Sequence, residues 1–288
     1  MIKSRGERIF GVINFIIMLM VGFITLFPLW YVLMASISNG DAVVSGDVMF
    51  IAKGINFDSY KEVAKIEHLW TSYGNAIFYT AVGTTFSVIL TILAAYPTSK
   101  KRLVGGRFIT FFMVFTMWFS AGTIPMYLNF RDLGLLNTRL GVILTGAIGT
   151  FNIIVLRTYF ENVPQSLEEA AKIDGADDFY TLVRLYIPLS VPSIITVLMH
   201  YMLARWNTYF WPMVLLKDEA KIPLQVFLRK LIVDMQGMEE FDDVEVFNMT
   251  KETVVYATIV VSVLPMLIVY PYVQKYFVKG MMVGAVKG

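Results

Sequence analysis

The stretch SLEEAAKIDGADDFYTLVRLYIPLSVP, residues 166–192, is polar at its start and lies between two of the most apolar stretches of the chain. Read locally, it spells a short capped helix. Ser166 and Glu169 have capping-box spacing, Glu168 and Glu169 suit the positive end of a helix, and Gly175 suits the left-handed residue that ends one. Pro164 stops the helix before it. A helix of about two turns is marginal alone in water, because nucleation fixes several residues for few hydrogen bonds. Something must hold it, either its own bundle or another protein. Ala170 and Ala171 leave a thin face that a second backbone can approach closely. A further helical stretch from Asp177 to Tyr186 leads to Pro188 and Pro192, where the chain bends into the next apolar run.

Working outward, the flanking runs set the fold class. Hydrophobic residues are 57% of the chain and charged residues 16%, against about half and a quarter in soluble domains. Uncharged stretches of about 20 residues recur, long enough to cross a hydrocarbon core of roughly 30 Å as helix. This predicts an all-α integral membrane protein with six transmembrane helices, at about 9–35, 73–99, 108–130, 140–160, 186–212 and 253–276, in one domain of 1–288. The capped polar helix falls in the loop at about 161–185, between the fourth and fifth spans, and longer loops at about 36–72 and 213–252 lie on the opposite side. The first run is too long for the apolar core of a cleaved signal peptide and is followed by no small-x-small site, so it is read as a retained span.

Orientation follows the basic residues of short loops. Lys3, Arg5 and Arg8, then Lys100, Lys101, Arg102 and Arg107, then Lys275, Lys279 and Lys287 all fall on the side of the polar helix, which is read as the cytoplasm, with both termini. Prolines within or at the ends of the runs, such as Pro28, Pro97, Pro125 and Pro265, read equally as ordinary kinks or as hinges of a bundle that rocks. Beyond the membrane, INFDSYKEVAKIEHLW reads as a short helix. KIPLQVFLRKLIVD reads as an amphipathic one, with Pro223 in its first turn and Leu224, Phe227, Leu228 and Leu231 on one face.

Several activities are excluded. Without cysteine there is no disulfide or thiolate chemistry. His68 and His200 are too far apart in sequence for a short metal motif, so no metal site and no catalytic residue is assigned. A net charge of +2 gives no basis for a nucleic-acid partner. There is no P-loop, so the chain has no ATPase site of its own, and no acid lies inside a span, as ion-coupled carriers usually require. The polar residues within spans are few. Asn152, His200, Trp206 and Asn207 read in two ways: as local anchors, with Arg205 reaching to the interface and Trp206 in the aromatic belt, or as the lining of a wet path. Such a lining would suit a sugar, which has apolar faces and a hydroxylated rim.

The residues EEAAKIDGADDFYTLVRLYIPLSVP resemble the signature of the permeases of bacterial binding-protein-dependent ATP-binding-cassette (ABC) importers: E-A-A, three residues, Gly, nine residues, Ile-x-Leu-Pro. Glu169, Ala170, Ala171, Gly175 and Pro188 are in register, while Leu185 and Ile187 stand where Ile and Leu are usual, a swap that keeps bulk and apolarity. NVPQSLEEAAKIDGA and the tail QKYFVKGMMVGAVKG are similar to the carbohydrate-uptake branch that includes the smaller maltose-transporter permease. RWNTYFWPMVLL followed by PLQVFLRKLI looks like permeases for oligosaccharides and polysaccharide fragments. The resemblance implies a carbohydrate permease of the bacterial inner or plasma membrane, with other solutes (amino acids, peptides, phosphate) as the alternative cargo. It implies a second homologous permease, two ABC ATPase subunits that carry ATP and Mg2+, and an extracytoplasmic solute-binding protein. It also implies that Leu167, Glu168, Glu169, Ala170, Ala171, Asp174 and Gly175 form a coupling helix docked on an ATPase. The tail with Gly280, Met281, Gly284 and Lys287 would run between the ATPases.

Overall fold

Helix is the only repetitive structure among the described residues, 4–238, 252–269 and 271 of a computed structural model. The apolar run behind the basic head forms α1 (Arg5–Ser36), opened by a capping box. There Glu7 N–H donates to Ser4 Oγ (3.2 Å) and Ser4 N–H donates to Glu7 Oε2 (2.7 Å). Two short helices follow, α2 (Gly40–Val44), capped by Asn39, and α3 (Asp58–Lys65). The second apolar run is α4 (Glu67–Ser99). The third is split into α5 (Gly106–Trp118) and α6 (Thr123–Asp132), and the fourth into α7 (Arg139–Leu144) and α8 (Thr150–Glu161). The polar helix is α9 (Gln165–Ile173). Behind it come α10 (Asp178–Thr181), a π-helical turn over Leu182–Tyr186, α11 (Ile187–Leu189) and α12 (Val191–Trp206). The described chain ends with α13 (Phe210–Leu215), α14 (Leu224–Met238) and α15 (Glu252–Val269).

Among the described residues, α1, α4 and α15 are each long and apolar enough to cross a membrane. The pair α5 and α6, bent by 114°, and the segment Asp178–Leu189 with α12, bent by 84°, pass that test only together. The stretches expected as single spans at 108–130 and 140–160 are therefore each interrupted. Local chemistry explains both breaks. Between α5 and α6, Gly122 takes φ 86°, a conformation that costs a residue with a Cβ, and its N–H is held by Ser120 Oγ at 3.2 Å. Between α7 and α8, Gly146 takes φ 61°. Entering α12, Pro188 has no N–H for the carbonyl four residues back, so the helix widens. The Ile187 N–H bonds Leu182 O, five residues earlier.

The described residues divide into two compact units, 4–67 with 228–238 and 252–264, and 68–227 with 265–269 and 271. In the first, Ala35, Val43 and Val48 form a small core with Tyr31, Met34 and Tyr256 beside it. Ser36 anchors α3 there, through Tyr60 (2.8 Å) and through its carbonyl to Ser59 Oγ (3.1 Å). The apolar surface of α1 is otherwise exposed.

The second unit carries the main core, where α4, α8, the π-helical turn and α12 meet. Val88, Leu156, Phe160, Leu182, Tyr186, Val197 and Tyr201 are all buried there. Tyr201 OH ties three segments together, sharing a hydrogen with Thr91 Oγ1 (2.8 Å) and accepting from the Gly149 N–H (2.9 Å). A Cβ on Gly149 would come within 3.2 Å of that hydroxyl. A neighbouring core joins Tyr79, Val142 and Ile143 to Leu216, Ile222 and Val226. Asn75 fastens the same region by donating to Ala220 O (2.8 Å) and Ile222 O (3.1 Å).

Candidate coupling site and cargo path

α9 begins two residues earlier than its capping-box spacing suggests. Pro164 occupies the cap position and no side chain caps the helix. Ser166 therefore lies inside the first turn, and Glu169 accepts instead from Gln165 Nε2 at 2.8 Å. The C-terminus closes with two reversed bonds, Gly175 N–H to Lys172 O (3.0 Å) and Ala176 N–H to Ala171 O (2.9 Å). Gly175 adopts φ 83°, the left-handed residue this closure needs.

The helix has two faces. Glu168, only 7% exposed, turns inward, while Leu167, Glu169, Ala170, Ile173 and Asp174 face outward. Ile173 is 86% exposed, an unusual position for a β-branched apolar side chain on a polar helix. Phe179, Tyr180 and Val183 continue the exposed apolar surface just beyond.

The inward carboxylate is the centre of a cluster that sequence reasoning missed. Its Oε2 accepts from Lys100 Nζ (2.6 Å) and Tyr186 OH (2.8 Å), and its Oε1 from Lys172 Nζ (2.9 Å). Arg102 lies 3.9 Å away and also pairs with Asp178. The Lys100 ammonium sits over the rings of Tyr186 (3.6 Å) and Tyr96 (4.3 Å). Burial pushes the Glu168 carboxyl up, but the bonds from Lys100, Lys172 and Tyr186 outweigh it and bring it down to about 2. Burial also lowers the Lys100 ammonium, against the pull of Glu168. An open cavity of about 810 Å³ beside the cluster is lined by Lys100, Lys101, Gln165, Glu169 and Lys172 among others. The i, i+4 spacing of Glu168 and Lys172 was a local signal. The Lys100 contact, 68 residues distant in sequence, gave none.

The polar residues of the spans are rearranged relative to expectation. Asn152 and His200 do come together, with Oδ1 3.2 Å from Nδ1, and Phe151 stacks on the imidazole with ring centroids 5.9 Å apart. Trp206 is buried against Tyr73 rather than lying in an aromatic belt. Asn207 is exposed at the end of α12 and donates to Leu203 O. Arg205 does not reach to the interface. It is buried and donates to Val142 O (3.0 Å), Ile143 O (2.8 Å) and Ser87 Oγ (3.3 Å). It thereby serves carbonyls at the end of α7, where Val142 O also accepts from Thr145 Oγ1 (2.7 Å). Gly83 makes room for it, since a Cβ there would meet Nε at 3.1 Å. Among the described residues no group of acids, histidines or cysteines could hold a metal ion. Gly280, Met281, Gly284 and Lys287 lie outside the described residues.

Among the described residues, helix throughout, several apolar helices long enough for a bilayer and a short polar helix between two apolar segments give the architecture of an integral membrane protein. Residues 87–283 match the family described as binding-protein-dependent transport system inner membrane component, and the chain belongs to that family of ABC-importer permeases. The polygalacturonan/rhamnogalacturonan transport system permease protein YtcP of Bacillus subtilis (strain 168) is 38% identical, over 98% of this chain and 99% of its own length. Protein LplC of the same strain is 35% identical, over 99% and 97%. The crystal structure of a bacterial ABC transporter involved in the import of the acidic polysaccharide alginate contains a chain similar to this one, with 45% identity and a TM-score of 0.88. The match covers 96% of this chain and 99% of that one.

Proposed function

We propose that this chain is one permease subunit of an ATP-driven importer of carbohydrates, of the oligosaccharide or polysaccharide-fragment class. The observation that carries the cargo class is the end-to-end likeness to the alginate-importer chain, joined by a relative named for polygalacturonan and rhamnogalacturonan transport. The subunit pairs with a second, homologous permease in a heterodimer. It receives cargo from an extracytoplasmic solute-binding protein and works with two ABC ATPases. ATP and Mg2+ bind on those partners, and this chain binds no cofactor. Both termini are cytoplasmic.

In this reading, α9 is the coupling helix. Its outward face, with Leu167, Glu169, Ala170, Ile173 and Asp174, docks on an ATPase. Ala171 keeps the helix thin, Gly175 closes its end, and Glu168 holds it to the permease. Closure of the ATPases around ATP carries the docked helix with it, and the pathway alternates between outward and inward openings. A switch from 1:99 to 99:1 needs about 5.5 kcal/mol of differential affinity, which nucleotide on the partners supplies. Asn152 and His200 contribute a polar step to the cargo path, with Asn207 at its end. Trp206 supports that wall from behind.

The test is reconstitution of the four-subunit complex with its binding protein in liposomes. ATP-dependent accumulation of labelled oligosaccharide, absent without ATP, is the expected result. Accumulation of amino acids or peptides in its place overturns the cargo assignment.

A further inference from the structure

Docking of α9 on an ATPase uses its outward face and leaves open which parts of the permease the inward Glu168 cluster connects. That cluster joins four separate segments of the second unit. Glu168 comes from α9, Lys100 from the residue just beyond α4, Tyr186 from the π-helical turn before α12, and Phe160 from the end of α8. The three aromatic rings are packed edge to face, Tyr96 to Tyr186 at 5.1 Å and Phe160 to Tyr186 at 5.6 Å. Lys100 lies over the two tyrosine rings and bonds the carboxylate at 2.6 Å. The side chains of Lys100 and Glu168 are only 9% and 10% exposed, so water competes little for this bond. A close-packed, charge-assisted junction of this kind resists shear, because close-packed contacts do not deform continuously.

We propose that the Lys100–Glu168 pair bolts the coupling helix to the end of α4, so that α4 is driven directly by the ATPases together with α8 and α12. Lys100 and Glu168 are then positioning residues for coupling, acting through α9 rather than touching nucleotide or cargo. The proposal rests on the docking of α9 set out above and adds to it a definite route. Without the bolt, α9 would be tied to the bundle through the Tyr186 hydroxyl and the chain on either side of it, with no direct bond to the end of α4, and α4 would follow the docked helix late or not at all.

The native chain has no cysteine, which allows a direct test in the assembled transporter. Lys101 and Gln165 line the same cavity, one on each side of the junction. Cysteines placed at both are bridged by a short bifunctional thiol reagent. If the junction stays closed through the cycle, the bridged transporter imports cargo at the unbridged rate. In the variant Lys100→Met with Glu168→Gln, cargo imported per ATP hydrolysed falls about tenfold, the scale of a change along a coupling network, while ATP hydrolysis continues. Bridging residues 101 and 165 in that variant restores the ratio. A bridge that blocks import in the otherwise native chain overturns the proposal, as does a charge-free variant with an unchanged ratio. Failure of the docking itself reads differently: the ATPases no longer co-purify with the native permease, whatever the state of the junction.

Discussion

Glu168→Gln isolates the energetics of the junction. The substitution keeps an oxygen for the Tyr186 hydroxyl, 2.8 Å away, and replaces the other, with the charge, by an NH2 donor. Lys172 and Arg102 are about half exposed, so each loses at most about 1 kcal/mol. Lys100 is nearly enclosed. Leaving a buried ion without its partner costs about 3–5 kcal/mol, and the two tyrosine rings under the ammonium offset about 1–2 of this. The net expectation is a loss of about 2–3 kcal/mol, or roughly 4–12 °C in melting temperature at 2–4 °C per kcal/mol.

The double variant with Lys100→Met has no stranded charge and should lie within about 1.5 kcal/mol of the parent. Thermal unfolding of the purified complex in detergent measures all three variants as a double-mutant cycle. A Glu168→Gln protein that melts within about 1 °C of the parent would refute the reasoning, and so would additive losses in the double variant. The pH dependence has a definite sign. The Glu168 carboxyl is brought down from its ordinary 4.5 to about 2 in the fold. Its stabilisation is therefore complete above 4.5 and is lost as pH falls toward about 2. The deficit of Glu168→Gln should shrink over that same window.

Three further substitutions separate fold from coupling. A Cβ on Gly141 would stand 2.4 Å from the Leu135 carbonyl oxygen, a backbone atom that cannot swing away, so Gly141→Ala should lower stability by about 1–3 kcal/mol; the yield of monodisperse protein reports it. Arg205→Lys replaces a fork that reaches Val142 O, Ile143 O and Ser87 Oγ with one ammonium. The planar fork and at least one of its bonds are then lost, at about 1–3 kcal/mol, which thermal unfolding in detergent reads. Glu169→Lys alters an exposed side chain that accepts from Gln165 Nε2. Its melting temperature should stay near the parent's, within about 0.5 kcal/mol, while uptake in vesicles is abolished; normal uptake would count against docking through this face.

Much of the architecture was legible because hydropathy is a local property. The long uncharged runs specify helices for lipid, and Gly175 at the end of an apolar-and-alanine period announces a left-handed stop. What stayed hidden was non-local. Whether the run at 140–160 is one helix or two depends on Gly146 and on the Tyr201 hydroxyl waiting for the Gly149 N–H, 52 residues away in sequence. Arg205 resembles an interfacial anchor until the end of α7 offers it the carbonyls of Val142 and Ile143. The capping-box spacing at Ser166 was outcompeted because Pro164, which lacks a donor and ends the preceding segment, takes the cap position two residues sooner. The basic cluster Lys100-Lys101-Arg102 was informative about orientation, but its pairing with Glu168 could be seen only once α4 and α9 were placed side by side.

Force transfer through α9 is open to one direct measurement. A photoreactive side chain installed at Ile173, the most exposed apolar position of that helix, is activated in native membrane vesicles holding the complete transporter. Covalent adducts with an ATPase subunit are the expected product. Adducts confined to this chain and to lipid, with intact ATPases present in the same vesicles, would contradict the account.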